Sequence, residues 1–185
     1  MFSVGSVAIR PLESADLEPL FQWSLDDEIE VLSGWGRRLS REAFDQKWSA
    51  RIREPQEDLL FFGILSEGSL VGRIELALID RENRNAAAGL FVGERTAWGK
   101  GIGSAALRLL LDYAFTVENL ERVWAHVFSF NARAMRLMER VGFVREGVLR
   151  QHEMHNGALR DMHAFGILKA EFYQRYPTIF PIPAR

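Results

Sequence analysis

The chain has 185 residues, 48% of them apolar and 26% charged, and carries a net charge of −2. This is enough for one domain with a sizeable core, and the charge balance excludes a case for non-specific nucleic-acid binding. No apolar run nears the roughly 18–20 residues of a membrane span, no cysteine is present for a disulfide or a thiolate nucleophile, and Met1 to Arg10 lacks the pattern of a signal peptide, so no membrane partner and a cytoplasmic location are expected.

In chain order, Val7-Ala8-Ile9-Arg10-Pro11-Leu12 reads as a first strand. Ser14 is placed to cap a helix through Leu17, Leu20, Phe21 and Ser24. An acidic stretch follows at Asp26, Asp27, Glu28 and Glu30, then an aromatic hinge at Gly34-Trp35-Gly36. Ser40 caps a second helix carrying Phe44, Trp48 and Ile52, ended before Pro55. Leu59 to Leu65 and Leu70 to Ile79 form a hairpin about Glu67-Gly68-Ser69. In its second strand Ile74, Leu76 and Leu78 share one face, and Arg73, Glu75 and Ala77 the other.

After a polar turn from Asp80 to Asn85, Ala86 to Val92 is an apolar strand that leads toward Trp98-Gly99-Lys100-Gly101-Ile102-Gly103-Ser104. Leu107, Leu110, Leu111 and Ala114 then recur at helical spacing. Strand, glycine turn and helix together make an anion seat, because glycines let the backbone approach a ligand and a helix N-terminus offers unpaired amides. The Walker pattern is absent, and Ser104 stands where a dinucleotide fingerprint needs its third glycine. The plain alternative is a glycine-rich connection.

Arg122 to Phe128 reads as a strand parallel to the one before the helix, since a helix joins them. Asn131 caps a helix with Ala134, Leu137, Met138 and Val141 on its apolar face, stopped by Gly142. Phe143 to His155 and Ala158 to Leu168 flank Asn156-Gly157, a strong hairpin signal. Lys169 to Tyr176 is a short closing helix; residues 1–175 are expected to form a single domain and 176–185 a proline-containing tail.

The glycine stretch resembles the pyrophosphate-binding motif of the GNAT N-acetyltransferase superfamily, written Gln/Arg-x-x-Gly-x-Gly/Ala. Trp98 takes the Gln/Arg place, a departure shared with the branch of ribosomal-protein N-terminal (RimJ/RimL-like) acetyltransferases. Asn131 to Phe143 resembles the family's second cofactor segment, and the likeness runs from Arg10-Pro11-Leu12 to about Phe172. It implies the acyl-CoA N-acyltransferase fold, an α+β arrangement. That means a mixed, mostly antiparallel sheet of about seven strands, a central splayed parallel pair and flanking helices.

The same resemblance implies acetyl transfer from acetyl-CoA to a primary amine, by direct attack in a ternary complex, with a monomer or homodimer as the assembly. Phe91, Val92 and Gly93 are expected as the backbone rim beside the acetyl group. Trp98, Gly99, Lys100, Gly101, Ile102, Gly103, Ser104 and Asn131 are expected at the cofactor. Two family groups are replaced: Met138 stands for a tyrosine that protonates the thiolate, and Ala87, two residues before Gly89, stands where the family often carries an acidic residue as base. Glu75 is the candidate base, with a solvated strand carboxylate as its plain alternative.

The acidic run at Asp26, Asp27, Glu28 and Glu30, together with Trp35, falls where the family holds its acceptor. It is expected either to draw in a cationic amine or to be a solvated helix face. A protein N-terminus is the expected acceptor, a polyamine or aminoglycoside the alternative, and a non-catalytic CoA sensor or a nucleotide-binding protein the readings outside that chemistry. His152 and His155 follow H-E-x-H, which on a strand puts them on opposite faces, so no metal is expected.

Overall fold

The computed structural model describes residues 1–33, 39–54 and 56–180. Its sheet has eight strands among these residues: β1 (Phe2–Val4), β2 (Val7–Pro11), β3 (Leu59–Ser66), β4 (Ser69–Asp80), β5 (Asn85–Val92), β6 (Arg122–Phe128), β7 (Val144–His155) and β8 (Ala158–Leu168). The order across the sheet is β1-β2-β3-β4-β5-β6-β8-β7. The strand not expected is β1, three residues folded back on β2 with Phe2 opposite Ile9; a strand that short carries no readable alternation.

The β3–β4 and β7–β8 hairpins follow from their turn residues. Glu67-Gly68 and Asn156-Gly157 all take positive φ, which gives the strand-compatible twist of a two-residue turn. In β4 the expected alternation stops early. A register shift between Ala77 and Asp80 puts Leu78 at φ +52° and leaves it 62% exposed, while Ile79 turns inward. Ile74 and Leu76 keep to the buried face as expected.

Among the described residues six α-helices accompany the sheet: α1 (Leu17–Ser24), α2 (Asp27–Ser33), α3 (Arg41–Arg53), α4 (Ile102–Thr116), α5 (Ala132–Val141) and α6 (Lys169–Arg175). Ser14 does not cap α1. Glu13 opens a single 3-10 turn in a capping box with Asp16, and Asp16 also takes a two-pronged bond from Arg10 (2.7 and 2.9 Å). Ser40 does cap α3, accepting from the Ala43 amide at 3.3 Å. No helix among the described residues is long and apolar enough to cross a membrane.

Two cores result. The larger surrounds α4, whose Ala106, Leu107, Leu110 and Ala114 are fully buried against the sheet. The smaller lies under α1 to α3, where Leu20, Ile29, Phe44 and Trp48 close over Phe91 of β5. Asp112, fully buried in α4, accepts from the hydroxyls of Tyr173 (2.8 Å) and Thr178 (3.0 Å) and from the amide of Phe180 (3.2 Å). Phe180 packs on Phe2 with ring centroids 4.4 Å apart, so the segment after α6 returns to the sheet through one buried carboxylate.

One break in the sheet sets up everything that follows. β5 and β6 pair in parallel at Asn85/Arg122, Ala86/Val123 and Ala87/Trp124, and among the described residues no further pair joins them. Beyond that point the two strands part, as the resemblance implied.

Candidate active site

The gap between β5 and β6 opens a cleft of about 1090 Å³. Its upper end is the glycine turn. Gly99 and Gly101 sit at φ +76° and +80°, and a side chain built on either would meet nothing within 4 Å. Backbone conformation, not crowding, calls for glycine there. Gly101 is the N-cap of α4 without any side-chain cap, and the first helical bond runs from the Ala105 amide to its carbonyl (3.0 Å). The amides of Ile102, Gly103 and Ser104 therefore have no partner within the helix and face an anion with the positive end of the dipole.

Trp98 has a structural duty at the place of the family's Gln/Arg. Its indole N–H donates to the Val92 carbonyl (2.7 Å), tying the turn to the end of β5. The Arg133 guanidinium lies 4.2 Å from its ring centroid. Arg133, Arg136 and Arg140 all line the cleft from α5. Sequence reasoning passed over them, although their i, i+3, i+7 spacing marks one helical face. Unpartnered amides and three guanidiniums around a cleft of this size fit the phosphates of a coenzyme A molecule.

Of the expected cofactor residues, Phe91, Val92, Trp98, Gly99, Gly101, Ile102, Gly103, Ser104 and Asn131 line the cleft. Lys100 is exposed beside it. Gly93 lies outside: its amide donates to the Val71 carbonyl on β4 (2.8 Å), and a side chain there would strike the Trp23 ring at 2.1 Å. Since amides alternate sides along a strand, those of Val92 and Leu90 face the gap. Asn131 has both ends engaged. It accepts from the Ala134 amide (2.9 Å) and donates to the Leu32 carbonyl of α2 (2.9 Å), pinning α2 beside the cleft. Met138 is buried in the cleft wall, 5% exposed.

A second cavity of about 360 Å³ adjoins the first on the side of α3 and β4. Glu75 lines both. It faces Gly89 across the β4–β5 ladder, and a side chain on Gly89 would come within 2.9 Å of the Glu75 carboxylate. The glycine thus leaves the carboxylate room to lie over β5. Glu75 also accepts a hydrogen bond from Arg73, a guanidinium only 6% exposed whose charge lies 5.0 Å from the Trp48 ring and 5.1 Å from that of Phe61.

The acidic run is distributed otherwise than expected. Asp26 and Glu28 clamp Arg95, the former at 2.8 and 3.0 Å, and line neither cavity. Asp27 opens α2 and also lines neither. Glu30 alone of the four reaches the small pocket, where the cations Lys47, Arg51 and Arg73 stand with it. Trp35 and its glycines lie outside the described residues. His152 packs edge-on to His126 at 5.7 Å, while His155 stacks on Phe128 and Phe130. His126 lines the cleft from β6, and burial, then the neighbouring His152, holds its imidazole below the usual histidine range.

Splayed parallel strands, an amide-lined turn and an arginine-lined cleft define an acyl-CoA-dependent transferase. Residues 6–144 match the acetyltransferase (GNAT) domain, and the chain belongs to that family. It is an N-acetyltransferase that uses acetyl-CoA as donor. The chain is 39% identical over 103 residues to the uncharacterized N-acetyltransferase p20 of Bacillus licheniformis, a match spanning 56% of this chain and 57% of that protein. It is 32% identical over 176 residues to the putative ribosomal N-acetyltransferase YdaF of Bacillus subtilis, covering 90% and 93% of the two chains. The crystal structure of spermidine N-acetyltransferase from Vibrio cholerae with CoA and spermine superposes with a TM-score of 0.81 at 25% identity, over 90% of this chain and 98% of that one.

Proposed function

We propose that this enzyme transfers the acetyl group directly to the primary amine of a small molecule seated in the Glu75 pocket. The observation that carries the reading is the position of Glu75, which lines both the cleft and the pocket. A pocket of about 360 Å³ suits a small acceptor better than a protein N-terminus, and the spermine-bound relative favours the same choice.

The amine nitrogen attacks the thioester carbonyl; the carbon–nitrogen bond forms and the carbon–sulfur bond breaks. Glu75 takes the proton that the amine must lose, directly or through water. The gap-facing amides of Val92 and Leu90 hold the developing oxyanion. With Met138 in place of a hydroxyl, the thiolate takes its proton from water in the open cleft. The amides of Ile102, Gly103 and Ser104, with Lys100 and the arginines of α5, anchor the pyrophosphate and so align the donor. Asn131 serves by holding α2 in place. A thiol-release assay with simple monoamines, amino acids, polyamines and short peptides tests the reading. Turnover on a small amine supports it, and turnover on peptides alone overturns it in favour of a protein acceptor.

A further inference from the structure

We propose that the acceptor carries an acidic group, a carboxylate or a phosphate, on the same molecule as its amine, and that Arg51 and Lys47 bind it. This rests on the acetyl-transfer reading and names the substrate class of the same pocket.

Of the acidic run, Asp26 and Glu28 are spent elsewhere, on Arg95, and only Glu30 reaches the pocket. What lines the pocket instead is Lys47, Arg51 and Arg73 against Glu30 and Glu75. Arg73 is engaged with Glu75. Among the described residues, Lys47 and Arg51 lie within salt-bridge distance of no carboxylate. The Arg51 guanidinium rests 5.3 Å from the Trp48 ring and 5.4 Å from that of Phe61, the same two rings that carry Arg73. Two guanidiniums thus share one aromatic platform at the edge of a half-enclosed cavity. The rings hold Arg51 in place and leave its planar fork of donors for an oxyanion. Burial, then the charges of Arg51 and Arg73, pull the Lys47 ammonium below its usual range. Positive charge is therefore crowded here, and a bound acid relieves the crowding. A polyamine brought to the same place adds to it.

With Glu75 at the cleft side and Arg51 and Lys47 on α3, an amine that also bears an acid is oriented from both ends. The ammonium goes to the carboxylate, and the acid to the cations. Amines without an acid are held at one end only, and polycations meet like charge at the other.

The test is binding and turnover of matched probes with the intact chain. By calorimetry with CoA present, γ-aminobutyrate should bind at least tenfold more tightly than butylamine, or phosphoethanolamine than ethanolamine; which pair shows the larger ratio identifies the acid. Arg51→Gln with Lys47→Gln should erase the ratio, and Arg51→Lys should restore part of it. Equal binding within both pairs, tightest binding by spermidine, or a ratio untouched in the double variant would overturn the proposal. Binding is read without turnover, so the two readings fail separately. Tight binding of an acidic amine without thiol release would overturn acetyl transfer and keep the pocket. Thiol release with spermidine alone would do the reverse.

Discussion

The donor cleft and the acceptor pocket meet at one carboxylate, yet they are made of different material. The core of the cleft's anion seat is main chain, unpartnered amides after two glycines held at positive φ, with the α5 arginines along its wall. The pocket is side chain: Arg51 and Arg73 on the rings of Trp48 and Phe61, with Lys47 beside them. A backbone seat recognises the phosphates common to every acyl-CoA and leaves little to vary. A side-chain pocket is retuned by single substitutions, so on the proposed reading it is the part that decides which amine is used. The predictions below press on that division.

The largest effect is expected where the two sites join. Glu75→Gln should lower turnover by about 10²–10⁴-fold at neutral pH, and the loss should shrink as pH rises toward the amine's own pKa, where the acceptor arrives deprotonated. A pH-independent loss would make Glu75 a packing partner of Arg73 alone, and the boundary between the sites would then lack its base.

The next effect belongs to the cleft. Gly101→Asp puts a β-carbon at φ +80° and a carboxylate beside the amides meant for pyrophosphate. Acetyl-CoA affinity by calorimetry should fall about a hundredfold, roughly 2.7 kcal/mol, while the far-ultraviolet circular dichroism stays that of the parent. Acceptor selectivity measured at saturating donor should not move. A change in selectivity would mean that the turn also shapes the pocket.

These two sites were not equally legible in the sequence. Gly99, Gly101 and Gly103 announce themselves because the backbone positions they occupy have a spacing that survives in one dimension. Glu75 was readable as a strand position off the apolar face, on the side of Arg73, but its bed over Gly89 depends on register across β4 and β5. The acidic run left two readings open: the resemblance places Asp26 and Glu28 near an acceptor, a solvated helix face is the alternative, and in the fold Arg95, far along the chain, takes their charge. Arg51 and Lys47 carried no signal, since exposed cations on a helix are commonplace until α3 is laid against β3 and β4. Leu78 failed for a similar reason, as a bulge is a decision made by the neighbouring strand.

A smaller effect separates two uses of Trp98. Trp98→Phe keeps a ring under Arg133 but removes the donor to the Val92 carbonyl. Loss of a single partly buried hydrogen bond predicts about 1 kcal/mol of stability by denaturant titration, with a severalfold rise in KM for acetyl-CoA as the turn loosens from β5. If stability falls and KM holds, Trp98 serves the fold and the turn positions itself.

The smallest signal is also the most direct reading of charge in the acceptor pocket. The Lys47 ammonium is pulled down first by burial and then by Arg51 and Arg73. Arg51→Gln removes one of the two like charges and leaves the burial nearly unchanged. The sign follows: a neighbouring cation disfavours the protonated form, so its removal stabilises that form and raises the pKa. In an NMR titration of lysine side chains, the Lys47 resonance should therefore titrate below the other lysines in the parent and move upward in the variant. Saturating γ-aminobutyrate should move it upward in the parent as well, because an anion next to the ammonium acts in the same direction as the loss of a cation. A Lys47 that titrates with the rest, before and after Arg51→Gln, would mean that solvent screens the pocket's cations from one another, and the division between a backbone-made donor site and a charge-made acceptor site would lose its second half.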